Sequence, residues 1–108
     1  LDGAFLTGFI PVTAGDTIYL SSGILDPNWG SAGSANSRLY ASDKTTTTNS
    51  FNPAIIESAS ALEYIVKDSS GYVIQFSVKS SATTTAYMRL TLKGTGANSV
   101  ITVNEPIT

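Results

Sequence analysis

The sequence predicts an all-β fold, an antiparallel β-sandwich of jelly-roll type with about eight strands, and three observations lead there. Apolar residues recur at every second position in short runs. Clusters of Gly, Asp, Asn, Ser and Pro separate those runs every ~8–12 residues. No stretch sustains the 3.6-residue period of a long helix. The 108 residues suit one domain, 1–108. At this mass about 65% of the unfolded surface is buried on folding, enough for a single core. The chain begins Leu1-Asp2-Gly3 without Met, so it is expected to be a module excised from a larger protein.

Each element has a local reason. Phe5-Leu6 and Phe9-Ile10 bracket Gly8 in an extended segment that stops at Pro11. Ala14-Gly15-Asp16 reads as a tight turn, with Gly15 at positive φ. In the strand that follows, Ile18 and Leu20 alternate with Thr17 and Tyr19. A loop of Gly, Ser, Ala and Asn runs over 23–36, and Ser37-Arg-Leu-Tyr-Ala-Ser42 is a short strand closed by Asp43-Lys44. Thr45–Thr48 is an edge strand or a polar loop, since β-branching favours extension but nothing apolar sets a register. Asn52-Pro53 starts a single helical turn over 53–58 in preference to a full helix, because strand-forming residues resume at Tyr64. Leu62–Lys67, the turn Asp68-Ser-Ser-Gly71 and Tyr72–Val78 form a β-hairpin. Met88, Leu90 and Leu92 share one face against Tyr87, Arg89 and Thr91; Val100–Val103 is the last strand, and Pro106 ends it.

Composition excludes many chemistries. With no Cys and no His, the chain has no disulfide, thiolate, sulfur-ligated metal or imidazole proton shuttle. Serine-hydrolase triads, papain-like dyads, zinc hydrolases and haem sites go with them, and no enzyme is expected. The net charge is −2, and the six basic residues are scattered in sequence. No basic stripe is present to displace counterions from a phosphate backbone, which argues against nucleic-acid binding. No apolar run is long enough to insert in a bilayer, and no basic-then-apolar signal pattern opens the chain. The missing cysteines and Asn-x-Ser/Thr acceptors fit a cytosolic, bacterial or viral origin.

Chemistry is confined to carboxylates, rings and a few arginines. The eight acidic residues show no spacing that pairs two across one bond, and most sit in turns where Asp bonds its own backbone. Oxygen ligands for a hard cation exist in Asp26 with Asn28, or Asp43, plus loop carbonyls. Without a D-x-D-x-D loop, no cofactor is expected, and structural calcium is the lesser alternative. The only Trp, Trp29, lies in the polar loop Asp26-Pro-Asn-Trp-Gly. An indole there stacks on a sugar ring, with Asp26, Asn28 and Asn36 bonding its hydroxyls, or folds back as a lid over the core. Tyr19, Tyr40, Tyr72 and Tyr87 are read as strand residues, some presenting hydroxyl edges on an exposed sheet face. Arg38 and Arg89 each fork onto an acid of the chain or, less often, onto a ligand.

The strands also carry a family resemblance. Thr7-Gly-Phe-Ile-Pro-Val-Thr-Ala-Gly-Asp-Thr-Ile-Tyr-Leu20, Arg38-Leu-Tyr-Ala-Ser-Asp-Lys44, Gly71-Tyr-Val-Ile-Gln-Phe76, Ala86-Tyr-Met-Arg-Leu-Thr91 and Val100-Ile-Thr-Val-Asn-Glu105 together resemble modules of tailed-phage structural proteins and related proteins of gut bacteria and prophages. The resemblance implies a non-catalytic jelly-roll module of carbohydrate-binding type on a phage tail, baseplate or fibre. Its expected partners are cell-surface polysaccharide or, alternatively, neighbouring virion subunits, with homo-oligomerisation through the parent protein. Its expected place is the virion, or else a bacterial surface or the secreted fraction. Arg38–Lys44 and Ala86–Thr91 are the matching segments that could be more than scaffold, so Arg38 and Tyr40 join Trp29, Asp26, Asn28 and Asn36 as candidate ligand-binding residues.

Overall fold

A computed structural model of the chain describes residues 4–27, 37–93 and 99–107. Its elements are β1 (Ala4–Leu6), β2 (Ile10–Pro11), β3 (Thr17–Leu20), β4 (Ser37–Tyr40), β5 (Thr47–Phe51), a 3-10 helix (Pro53–Ser58), β6 (Leu62–Lys67), β7 (Val73–Val78), β8 (Tyr87–Arg89), β9 (Thr91–Lys93) and β10 (Ile101–Val103). One sheet has the order β10-β3-β7-β6 and the other β2-β8-β4-β5, all pairs antiparallel. The β1-β9 pair extends the second sheet beyond an interruption at Thr7–Phe9. With β1–β2 and β8–β9 each taken as one interrupted run, the chain has the eight runs expected. It stays within a sheet only at the β4–β5 and β6–β7 hairpins and otherwise crosses between sheets. The fold is an all-β sandwich with the crossed winding expected of a jelly-roll type.

One core lies between the sheets. Ile18 and Leu20 of β3, Phe76 and Val78 of β7 and Leu62 of β6 meet Leu39 of β4, Phe51 of β5 and Met88, Leu90 and Leu92 of β8–β9. The rings of Phe51 and Phe76 touch edge to face, 5.7 Å between centroids. The strict alternation of Met88, Leu90 and Leu92 read from the sequence is inward throughout, because period-two spacing sends every second side chain to one face.

The short-range expectations hold. Asn52 caps the 3-10 helix by accepting from the Ala54 N–H, Pro53 takes the first turn, and Ile56 is buried beneath it. The Asp68–Gly71 turn closes the β6–β7 hairpin, with Gly71 at φ 89° and the Asp68 N–H donating to the Tyr72 carbonyl. Gly15 also has positive φ, 89°. The threonine run divides: Thr45 and Thr46 belong to a turn, while Thr47 begins the edge strand β5. Phe51, inward at the far end of that strand, supplies the register that the threonines lack.

Candidate functional site

The outer face of the β2-β8-β4-β5 sheet gathers the chain's most distinctive side chains, and a bulge at its edge makes this arrangement. Leu6 pairs with Thr91 and Ile10 with Met88, so Thr7, Gly8 and Phe9 stand opposite only Arg89 and Leu90. The extra residue reverses the facing of the strand. Leu6 is exposed before it, Ile10 packs on the core after it, and Phe9 turns outward. Thr7 closes the gap: its N–H donates to the Leu90 carbonyl (2.9 Å), and its hydroxyl accepts from the Leu90 N–H (3.0 Å). The Arg89 Nε–H donates to the Thr7 carbonyl at 2.9 Å.

Phe9 is the centre of the cluster. Tyr40 of β4 and Tyr87 of β8 are direct cross-strand partners, and both meet Phe9 edge to face, at 5.3 Å and 6.1 Å between centroids. The Arg89 guanidinium lies 4.6 Å from the Phe9 ring centre, and the Lys44 ammonium lies 4.9 Å from that of Tyr87 and 5.7 Å from that of Phe9. Arg38, exposed, is the cross-strand partner of Arg89.

The turn carrying Lys44 is fixed by its neighbour. The Asp43 carboxylate accepts from the Thr45 N–H (2.9 Å), the Thr46 N–H (2.8 Å) and the Thr46 hydroxyl. The Thr46 hydroxyl first, then the two N–H groups, hold the Asp43 carboxyl well below the usual carboxylate range. Lys44 itself sits at φ 61°, a left-handed conformation that costs a non-glycine residue roughly 1–2 kcal/mol.

Of the sequence-predicted site residues, the structure brings Arg38 and Tyr40 together on the outward side of β4. Trp29, Asn28 and Asn36 lie outside the described residues. Asp26 is buried, 5% exposed, with its Oδ2 3.5 Å from the Nζ of Lys93, four residues along the chain from Arg89. Neither arginine forks onto an acid among the described residues. The ion pairs among the described residues are Lys67–Glu57 and Lys93–Asp26. Sequence reasoning missed Phe9, and it reached Lys44 and Tyr87 only as members of the segments 38–44 and 86–91, without naming either as a ligand-binding residue. Its signals were the Thr-Gly-Phe bulge and a non-glycine residue where a hairpin turn needs φ > 0, and neither is legible without the register.

Three of the aspartates are engaged by hydrogen bonds within the chain. Besides Asp43, Asp68 accepts from the Ser22 hydroxyl and from the Ser70 and Tyr72 N–H groups, and Asp16 from the Thr13 N–H and the Asn104 amide. No three acidic side chains come together among the described residues. A hollow of about 200 Å³ lined by Thr48, Asn49, Ser60, Ser81, Thr84 and Thr85 has no ring or charge on its walls. The chain matches no family model, no curated protein and no solved structure.

Proposed function

We propose that the chain is a non-catalytic carbohydrate-binding module that takes glycan on the Phe9–Tyr40–Tyr87 face. The observation that carries this reading is the outward clustering of three rings on a sheet whose other side is the core. Rings held edge to face offer fixed apolar ridges, and a pyranose presents a C–H face that stacks on such surfaces. The flanking tyrosine hydroxyls and arginine N–H groups supply the directional bonds that sugar hydroxyls require. Two of the three segments that build the face, 38–44 and 86–91, are those whose resemblance to tailed-phage modules singled them out. That resemblance supports a place on a phage tail or fibre and host-surface polysaccharide as the target. Weak single sites would add through repetition on a multivalent particle.

A glycan array followed by titration of the purified chain tests the reading. Tyr40→Ala is expected to weaken glycan binding by about tenfold, a loss of about 1.4 kcal/mol. Trp29→Ala measures the loop's share. If Trp29→Ala abolishes binding and Tyr40→Ala does not, the site belongs to the loop and this face is wrong.

A second reading, an assembly module packing against virion subunits, draws on one observation. Tyr64 is 72% exposed at φ 54° on the edge strand β6, with Val66 also exposed beside it. The register break between Glu63 and Val66 opposes simple strand addition at that edge. Light scattering that shows oligomers lost on Tyr64→Ala would favour this reading.

A further inference from the structure

We propose that the ligand of the Phe9–Tyr40–Tyr87 face is an acidic saccharide, bearing carboxylate or phosphate groups, and not a neutral one. The inference rests on the carbohydrate-binding reading and narrows it. Three of the chain's six basic residues, Arg38, Lys44 and Arg89, gather at this one face of a protein whose net charge is −2. Among the described residues none of the three pairs with a carboxylate, whereas Lys67 and Lys93 both do and Lys79 does not.

The arrangement is electrostatically uncomfortable when empty. Arg38 and Arg89 are direct cross-strand partners, and like charges placed opposite each other destabilise a ladder. The rows across the face contain Tyr87, Tyr40 and Thr47, then Arg89, Arg38 and Ser50, with no acid among them. The nearest carboxylate in sequence, Asp43, is turned onto Thr45 and Thr46. An anion seated between the two guanidiniums relieves their repulsion and accepts charge-assisted hydrogen bonds.

Arg89 is already oriented for this. Its Nε–H is tied to the Thr7 carbonyl and its Cζ lies 4.6 Å from the Phe9 ring centre, and its terminal N–H groups have no hydrogen-bond partner among the described residues. Lys44 is held over the rings by a turn that keeps it in a left-handed conformation glycine would occupy without strain. Rings for a C–H face beside cations for an anionic substituent match a charged sugar better than either a neutral sugar or a polyanion without sugar.

Calorimetric titration of the whole chain, with four probes, decides it. Oligogalacturonate offers carboxylates, phosphomannan oligosaccharide offers phosphates, a malto-oligosaccharide is neutral, and polyglutamate carries charge without sugar. At least one acidic saccharide is expected to bind about tenfold tighter than the neutral one and tighter than polyglutamate, with affinity falling as salt rises. Which acidic probe binds tells carboxylate from phosphate. Arg38→Ala removes an exposed side chain with no bonded partner among the described residues, so it is expected to weaken the acidic saccharide about fivefold and any neutral binding by less than that. Lys44→Gly gives a second, independent loss of charge. Equal or tighter binding of the neutral oligosaccharide, insensitive to Arg38→Ala, overturns the inference and leaves the carbohydrate reading standing. Tightest binding of polyglutamate overturns it in favour of an acidic protein surface. No binding of any saccharide by the folded chain removes both.

Discussion

The two outer faces of the sandwich are built on the same antiparallel ladder and are filled in opposite ways. On the β10-β3-β7-β6 sheet the outward rows align Thr102, Tyr19, Gln75 and Val66, and then Thr17, Ser77 and Glu63. Thr17 and Ser77 bond each other through their hydroxyls at 2.8 Å. Those rows hold one ring and no cation. On the β2-β8-β4-β5 sheet the corresponding rows hold Tyr40 opposite Tyr87 and Arg38 opposite Arg89, with Phe9 and Lys44 laid over them. Cross-strand pairing is worth only fractions of a kcal/mol per pair, so neither filling decides the fold. Once alternation has sent the large apolar residues inward, the outward positions are free to serve something else. One face satisfies itself, and the other concentrates rings and like charges that do not.

The sharpest way to break the contrast is to remove the ring at its centre. Phe9→Ala deletes the surface against which Tyr40, Tyr87, Arg89 and Lys44 rest. Truncating a half-buried aromatic with two edge-to-face neighbours is expected to cost about 2 kcal/mol, read from urea unfolding, and to abolish measurable glycan binding. Tyr19→Ala on the other face is expected to cost less than about 1 kcal/mol and leave binding intact. A binding loss on Tyr19→Ala with none on Phe9→Ala would reverse the assignment of faces.

The hairpin turns extend the comparison. The β6–β7 turn places Gly71 at φ 89°, where an added Cβ meets nothing within 4 Å, so only the backbone conformation penalises a side chain. The β4–β5 turn places Lys44 in the same region of φ. Exchanging the two choices should give effects of opposite sign. Lys44→Gly is expected to stabilise by about 1 kcal/mol, and Gly71→Ala to destabilise by about as much. If Lys44→Gly also weakens binding of an acidic saccharide, the strain is coupled to function; if it stabilises and leaves that binding unchanged, Lys44 has no part in the site.

How much of this was legible in the sequence depends on range. The β6–β7 hairpin, the turn at Gly15, the single turn after Asn52 and the inward set Met88, Leu90 and Leu92 follow from spacing and turn chemistry within a few residues. The sandwich class follows from their sum. Arg38 and Tyr40 were reached through the resemblance carried by segment 38–44, and their alternation with the buried Leu39 is what sets both on one side of β4. Phe9 was not, because its direction depends on a bulge between Thr7 and Leu90, residues far apart in the chain. Asp26 looked like a loop residue available to ligand, but the preceding Ile24 and Leu25 are drawn into the core and Asp26 is buried with them, beside Lys93. Local pattern foretells which side chains are buried; it does not foretell which outward ones meet.

The smallest predicted effect separates the two faces by pH. Asp43 on one hairpin turn and Asp68 on the other are both held below the usual value of 3.8, Asp68 chiefly by the Ser22 hydroxyl. A carboxyl whose folded value is depressed adds stability that is complete above its unfolded value and is lost as pH falls through the folded one. Thermal unfolding is therefore expected to be flat from about pH 7 to 5 and to drop below about pH 4. Asp43 is depressed further, so Asp43→Asn should flatten the acid limb more than Asp68→Asn does. Both carboxylates are held by hydrogen bonds and not by ion pairs, so added salt should leave that limb in place. Binding of an acidic saccharide should respond the other way and weaken with salt at neutral pH. A limb that collapses with salt would mean that a cation of the face, Lys44 first, pairs with Asp43 in solution, and the unpaired charge on which the acidic ligand depends would then be smaller.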